Sequence, residues 1–275
     1  MKKNKTNEIN DLNLKNWKQY QDIITDSLWL IDKRDRSGVH TGSYHGNFIP
    51  QIPNQLMRRF TKKGDVVLDA FLGSGTTLIE CKRLERNGIG IELVPSIANM
   101  AKKNITKELS AGKSVFAEVI KNDSTKKEAK EEVLKILNKY NKNHLNLIIL
   151  HPPYHDIIKF SDNKNDLSNA KTLEIFIAKF GEVVENFTDL LEKNHYLAVV
   201  IGDKYTNSEW IPLGFYVLQE TGARGKGLKL KSILVKNMVD NRAKRNQEHL
   251  WRYRALAGGF YVFKHEYILL FKKER

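Results

Sequence analysis

The sequence contains a single cysteine, Cys81, and no long run of apolar residues. One thiol cannot form an intrachain disulfide or a cysteine-based metal cluster, so we predict no metal site and a reducing, cytoplasmic setting. No segment approaches the ~20 apolar residues that span a bilayer. Residues 1–15 are too polar to form the apolar part of a signal peptide. We therefore expect a soluble protein without a membrane partner.

Acidic residues are also few relative to basic ones. The chain of 275 residues has 46 Lys and Arg against 32 Asp and Glu, which gives a formal net charge of +14 and a pI near 9.6. Such a surplus favours a polyanionic partner and salt-sensitive binding. The length suits one large α/β domain. We predict a docking segment with a short helix at residues 1–44 and a single domain at residues 45–275.

Short apolar segments alternate with amphipathic ones after residue 50, which is typical of a mostly parallel sheet with helices on both faces. The prolines of residues 50–53 predict a helix that runs to about Phe60. The predicted strands are residues 66–69, 89–92, 115–120, 147–150, 196–201, 230–235 and 267–271. The other predicted helices are residues 76–86, 95–106, 125–142 and 173–191.

The first predicted strand ends in the sequence DAFLGSGTT, residues 69–77. Gly73 and Gly75 let the backbone turn sharply and approach a ligand closely. Glu92 ends the next strand, 17 residues after Gly75, where a carboxylate can accept hydrogen bonds from both hydroxyls of a ribose. The third glycine of a dinucleotide loop and the Gly-Lys-Ser/Thr of a P-loop are missing. The pattern favours a nucleoside-type cofactor without phosphate.

Residues 45–93, 151–154 and 265–272 together resemble the bacterial amino DNA methyltransferases, which modify adenine at N6 or cytosine at N4. The resemblance implies a seven-stranded, Rossmann-like fold whose sheet ends in an antiparallel pair, S-adenosylmethionine as cofactor and DNA as partner. It implies that Glu92 holds the ribose and that Asp123 faces the adenine, although Asp123 also suits an ordinary turn after a strand. The implied cofactor-site residues are Phe48, Pro50, Asp69, Phe71, Gly73, Gly75, Thr76, Glu92 and Asp123.

The catalytic residues implied by the resemblance are His151, Pro152, Pro153 and Tyr154. An exocyclic amine is a weak nucleophile because its lone pair is delocalised into the ring, so catalysis needs acceptors for its N–H groups. His151 and the Pro152 carbonyl would be these acceptors, and Tyr154 would stack on a flipped-out base. The structural alternative is a strand that ends at Pro-Pro with His151 as a hydrogen-bonded cap.

His151 stands where the family has Asp, Asn or Ser. A histidine accepts a hydrogen bond only when it is neutral, and its ordinary pKa is about 6.5. We therefore expect methylation to weaken as the pH falls through the pKa of His151.

Residues 223–254 carry ten basic residues against two acidic ones. We predict a basic insertion at about residues 237–262 that contacts nucleic acid. A solvated loop with Trp251 packed on the core would explain the same composition. Because no large target-recognition domain is evident, residues 159–169 and the first forty residues are rival locations. The predicted contact residues are Arg242, Lys244, Arg245, Trp251 and Arg252.

These patterns favour a site-specific DNA methyltransferase, with adenine N6 slightly preferred over cytosine N4 and a restriction endonuclease as a candidate partner. An RNA base amino-methyltransferase is one alternative. Another is a non-catalytic nucleic-acid-binding module with a decayed fold, motivated by His151, although intact Gly73, Gly75, Glu92 and Tyr154 argue against decay. The sequence indicates neither the recognition sequence nor the oligomeric state.

Overall fold

The computed structural model describes residues 9–40, 42, 44–110, 112, 115–238 and 248–274. Across these ranges, no helix combines the length and the apolar composition that a membrane span requires. The sheet strands are β1 (Leu28–Trp29), β2 (Val66–Asp69), β3 (Asn87–Glu92), β4 (Ala117–Lys121), β5 (Leu145–Leu150), β6 (Leu191–Ile201), β9 (Leu228–Asn237) and β10 (His265–Lys273); β7 (Lys204–Thr206) and β8 (Glu209–Ile211) form a hairpin. The helices are α1 (Gln51–Phe60), α2 (Thr76–Arg83), α3 (Pro95–Lys107), α4 (Lys127–Lys139), α5 (Leu173–Thr188), α6 (Leu213–Arg224) and α7 (Glu248–Gly258).

Five neighbouring strands, in the order β6, β5, β2, β3 and β4, run parallel. Core clusters lie on both faces of this sheet, and β2, with the sequence VVLD, is buried at every position. A strand that is buried on both faces is expected to have a nearly continuous apolar sequence. β10 lies antiparallel between β6 and β9. The predicted Rossmann-like α/β fold, with an antiparallel pair in its sheet, is confirmed.

The described sheet has eight strands rather than seven because β1 adds to its edge, parallel to β9. The short helix predicted within the first forty residues is a 3-10 helix at Leu14–Gln19, and it buries no side chain. Trp29 of β1 is 1% exposed and packs in the core, and Asn237 Oδ1 accepts a hydrogen bond from the Ile31 backbone at 2.9 Å. The segment is thus joined to the sheet edge.

Three elements are not indicated by the sequence patterns: the β7–β8 hairpin, α6 and α7. α6 buries Leu213, Val217 and Thr221, which are spaced four residues apart. α7 occupies part of the predicted insertion, so the interpretation of that whole segment as a loop was wrong. These elements depend on packing against distant parts of the chain rather than on a strong local pattern.

The carboxyl ends of the parallel strands meet at one edge of the sheet. β2 and β3 end at Asp69 and Glu92, and β5 runs directly into His151. β9 runs in the same direction as β6, since both are antiparallel to β10. The hairpin that follows β6 and the insertion that follows β9 therefore leave the sheet at this same edge, where ligand sites of open α/β sheets are found.

We expect Trp29→Ala to lower the free energy of unfolding by about 3 to 5 kcal/mol, because it opens a large cavity in a packed core. Urea denaturation followed by circular dichroism measures this change. Trp17→Ala is the matched control because Trp17 is 64% exposed, and it should change stability by less than about 0.5 kcal/mol. Equal effects of the two substitutions would contradict the packing of β1 against the core.

Candidate active site

A cavity of about 690 Å³ lies at the carboxyl edge of the sheet. Residues from the ends of β2, β3, β4 and β5 meet there with the segment before α1. The cofactor-site residues and the motif predicted from the sequence therefore share one cavity. The predicted residues on its wall are Phe48, Asp69, Phe71, Gly73, Thr76, Glu92, Asp123, His151, Pro152, Pro153 and Tyr154.

Asp69 accepts hydrogen bonds from both sides of the glycine-containing loop. Its side chain accepts hydrogen bonds from the Phe71 backbone at 2.9 Å and from Thr77 Oγ1 at 2.5 Å. Burial raises the pKa of Asp69 to about 6, against the effect of these two bonds. The carboxylate thus ties the end of β2 to the first turn of α2.

Gly73 turns the loop towards the cavity, with φ of +54°. A Cβ atom at this position would lie 3.1 Å from the ring of Tyr44, so backbone conformation and space both favour glycine. Gly75 has φ of +98° and caps α2 but faces Ile105 instead of the cavity. Pro50, at the start of α1, is buried and also lies off the cavity wall. These two predicted cofactor-site residues shape the backbone around the wall.

Glu92 presents a carboxylate that is fixed at both oxygens. Oε1 accepts a hydrogen bond from the Val94 backbone and Oε2 from the Gly73 backbone, each at 2.9 Å. Burial raises the pKa of Glu92 to about 7, and the nearby Asp69 carboxyl acts in the same direction. Each oxygen has a further lone pair. The group can accept hydrogen bonds from two adjacent hydroxyls.

Asp123 stabilises a turn with one carboxylate oxygen, while its other oxygen has no donor among the described residues. Its Oδ1 accepts hydrogen bonds from the Thr125 backbone at 2.9 Å and from Thr125 Oγ1 at 2.8 Å. Its Oδ2 is buried and has no hydrogen-bond partner among the described residues. A buried acceptor without a donor is costly and rare. A ligand amino group in the cavity is the kind of donor that this oxygen lacks.

His151 lies between two aromatic rings. Its ring centroid is 4.9 Å from that of Phe48 and 5.7 Å from that of Tyr154, which it meets nearly edge-on at 84°. No described residue hydrogen-bonds the imidazole, so the described contacts do not support His151 as a hydrogen-bonded cap. Burial lowers the pKa of His151 to about 4, with Glu266 opposing and Lys236 adding to the shift. The imidazole is therefore neutral at pH 7.

Tyr154 is held at two points. Its Oη donates a hydrogen bond to Glu266 Oε2 at 2.8 Å. Its ring lies against Gly202, where a Cβ atom would come within 2.7 Å of the ring. Lys236 Nζ donates to the other oxygen of Glu266 at 2.8 Å. These contacts fix the ring on the cavity wall.

Several residues of the cavity wall are absent from the predicted site residues, among them Tyr44, Asn47, Lys236 and Glu266. Asn47 donates a hydrogen bond to Ser74 Oγ at 2.5 Å and so fastens the segment before α1 to the glycine loop. The sequence pattern that could have indicated Lys236 and Glu266 is a charged residue close to the cavity end of a predicted strand. Their pairing depends on the register of β9 against β10.

Of the predicted nucleic-acid contacts, Trp251 and Arg252 do not line the cavity. Arg242, Lys244 and Arg245 are outside the described residues. Trp251 and Arg252 lie on α7, with Arg252 exposed and Trp251 half-buried beneath the Arg254 guanidinium, 5.3 Å from the ring centroid.

The chain that returns from α7 packs against the β7–β8 hairpin. Phe260 stacks on Tyr205 at 4.2 Å and Phe263 meets Trp210 at 5.5 Å between centroids. Both rival locations border the cavity: Lys33 and Arg36 of the first forty residues, and Phe160 and Asn165 of residues 159–169, line it. Among the described residues, no group of three or more His, Cys, Asp or Glu side chains is arranged to hold a metal ion.

Comparison with known proteins finds similarity to DNA methylases. A family model described as "DNA methylase", of the N6/N4 type, matches residues 1–103, which include the glycine loop and Glu92. Type II methyltransferase M.MjaII of Methanocaldococcus jannaschii is 27% identical over 171 residues, and Type II methyltransferase M.BglI of Bacillus subtilis is 34% identical over 120 residues. Residues 1–103 of the chain are thus similar to the N6/N4 DNA methylases.

The similarity to these two methylases is partial. The matches cover 58% and 43% of this chain but only 31% and 33% of the relatives, so the chain spans about a third of their length. Among solved structures, TrmN from Thermus thermophilus has a TM-score of 0.50 at 14% identity, and the match covers 83% of this chain and 50% of that one. The similarity to TrmN is a similarity of fold alone.

S-adenosylmethionine, the cofactor that the sequence resemblance implies, fits the polar groups on the wall. Glu92 suits the two ribose hydroxyls, and Asp123 Oδ2 suits the adenine amino group. We assign these roles as proposals.

We expect the affinity for S-adenosylmethionine to decrease as the pH falls from 8.5 to 6. A carboxylate must be ionised to accept both hydroxyls, and the pKa of Glu92 is about 7, so affinity should fall by up to about tenfold per pH unit below that value. Isothermal titration calorimetry measures the trend. Glu92→Gln is the control: it should bind weakly and lose the Glu92 part of the pH dependence. Parallel pH profiles of the two proteins would contradict the assignment.

Proposed function

We propose that this protein transfers a methyl group from S-adenosylmethionine to the exocyclic amino group of a DNA base, with adenine N6 preferred over cytosine N4. The observation that carries the proposal is the single cavity that joins Glu92 and Asp123 to the motif of His151–Tyr154. Donor and acceptor of a methyl group need to be held together in line, because much of the catalysis of a displacement is positioning.

The motif has acceptors for both N–H groups of a base amine. S-adenosylmethionine supplies an electrophilic methyl group on its sulfonium. Neutral His151 offers one ring nitrogen as an acceptor, and the Pro152 carbonyl offers a second. Two accepted hydrogen bonds favour a pyramidal nitrogen whose lone pair is directed at the methyl group, which makes the amine nucleophilic.

Tyr154 provides a face on which the base can stack. A base inside a duplex is out of reach, so the target has to rotate out of the helix. Stacking on an aromatic side chain contributes about 1 to 3 kcal/mol per base. The ring of Tyr154 lies on the cavity wall beside His151, so the stacked base would present its amino group to the acceptors.

The surface around the cavity suits a phosphate backbone. The chain has a net charge of +14, and the insertion after β9 leaves the sheet at the cavity edge with Arg252 and Tyr253 exposed on α7. Basic side chains release counterions when they bind phosphates. We extend the proposal to Arg242, Lys244, Arg245, Trp251 and Arg252 as DNA contacts, and to a restriction-modification role like that of the Type II relatives.

The reaction is tested with S-adenosylmethionine that carries a deuterated methyl group. Purified protein is incubated separately with genomic DNA and with total RNA, and the digested nucleosides are analysed by mass spectrometry. We expect labelled N6-methyldeoxyadenosine from DNA. His151→Ala should lower the single-turnover rate by about 100-fold, as the loss of a positioned electrostatic contact does in other enzymes.

His144→Ala is the matched control for His151→Ala, because His144 is an exposed histidine that lies off the cavity wall. Its rate should equal that of the wild type. Labelled N4-methyldeoxycytidine would correct the base, and label in RNA alone would correct the substrate. Absence of label from both nucleic acids, with the cofactor bound, would contradict the proposed reaction.

The basic insertion is tested by the salt dependence of DNA binding. Replacing Arg242, Lys244 and Arg245 by Ala should weaken binding and reduce the slope of log K against log salt by about 2 to 3, since each phosphate contact contributes about 0.9. Fluorescence anisotropy from 50 to 200 mM salt measures both quantities.

A triple variant of equal charge loss serves as the control: Lys103, Lys127 and Lys135, all exposed on α3 and α4, are replaced by Ala. We expect a smaller change in slope for it. Equal slopes for the two triple variants would show that the insertion has no specific part in DNA binding.

A further inference from the structure

A buried ion pair lies beside the motif. Lys236 and Glu266 are register partners on the antiparallel strands β9 and β10, and both line the cavity. Their side chains are 5% and 8% exposed, and the ammonium donates to the carboxylate at 2.8 Å. We propose that this pair positions Tyr154 against the target base and tunes His151 through its two charges. The inference rests on the methyl transfer proposed above.

The stability of the sheet does not require charges at these positions. Neighbouring residues on the same two strands are apolar and buried: Leu234 is 5% exposed and Ile268 is 0% exposed. Removing two charges from water is costly, and well-packed apolar residues are often as stable as a buried ion pair. A charged pair at the cavity end of β9 and β10, beside the buried Leu234 and Ile268, therefore points to a role in the cavity.

Glu266 links the pair to Tyr154. One carboxylate oxygen accepts from Lys236 and the other from Tyr154 Oη at 2.8 Å. Because Gly202 lies against the ring, this contact and the hydrogen bond together restrain the orientation of the ring. A stacking surface that is fixed before the base arrives loses less conformational freedom on binding.

The same two charges act on His151 from different strands. Glu266 of β10 favours the protonated imidazole and Lys236 of β9 disfavours it, while the rings of Tyr154 and Phe48 beside it are uncharged. The charges oppose each other, so burial determines the direction of the shift and lowers the pKa of His151. Without Lys236, one proton would enter the Glu266–His151 pair at a higher pH than in the wild type.

Ring nitrogen NMR of the full-length protein tests the tuning directly. His151 is assigned by comparison with His151→Gln, and its signals are followed from pH 8 to 5. We expect the wild-type ring to stay neutral throughout, since its pKa is about 4. Lys236→Met should raise the pKa of His151, so that protonation of the ring becomes visible above pH 5, and Lys236→Arg should restore the wild-type behaviour. A His151 ring that stays neutral to pH 5 in Lys236→Met would overturn the tuning.

Glu80→Gln is the matched control. Glu80 is also a buried carboxylate in an ion pair, with Arg83 at 3.1 Å, and neither residue lies on the cavity wall. Its substitution should leave the His151 titration as in the wild type. An equal shift in this variant would mean that general loosening of the fold moves the His151 pKa, and this would also overturn the tuning.

Tyr154→Phe tests the positioning. It keeps the aromatic ring and removes only the hydrogen bond to Glu266. We expect the single-turnover methylation rate to fall by about tenfold with unchanged affinity for S-adenosylmethionine. An unchanged rate would overturn the positioning role. A wild-type protein inactive on DNA and RNA would contradict the proposed function, while the NMR result, which needs no activity, would still decide the tuning.

Discussion

The register of the parallel strands is the constraint on which the site depends. Asp69 is aligned with Gly90 on one side and with Ile149 on the other, so β2, β3 and β5 end together. The central strands are buried on both faces, which leaves their carboxyl ends as the places where polar side chains can meet a ligand. A shift of one strand by a single residue would turn its terminal side chain to the opposite face.

Burial at this edge acts on three groups in the same way. It raises the pKa of Asp69 and of Glu92 and lowers that of His151, so each group is biased towards its neutral form. For Glu92 this bias opposes the ionised state that accepts ligand hydroxyls. For His151 it favours the state that accepts hydrogen bonds. Burial therefore favours the neutral form of His151, which can accept a hydrogen bond, at a position where the family that the sequence resembles has Asp, Asn or Ser.

Much of the parallel sheet follows from local sequence. β2 has the predicted bounds, and α1, α3 and α5 begin within a residue of their predicted starts, because apolar runs, prolines and an amphipathic pattern mark them. β1 has only two residues, too few to show a pattern. The Lys236–Glu266 pair joins positions 30 residues apart, and only strand register brings them together. The position of Gly75 also depends on a non-local contact: it packs on Ile105 and therefore does not line the cavity.

The central claim is that the cofactor and a flipped-out base occupy adjacent parts of one cavity. A crystal structure of the protein with S-adenosylhomocysteine and a DNA duplex that contains its methylated sequence tests this claim most directly. The account predicts ribose hydroxyls on Glu92 and a base stacked on Tyr154, with its amino group within hydrogen-bonding distance of the His151 ring. A base that remains stacked in the duplex, or a flipped base whose amino group does not contact His151, would contradict it.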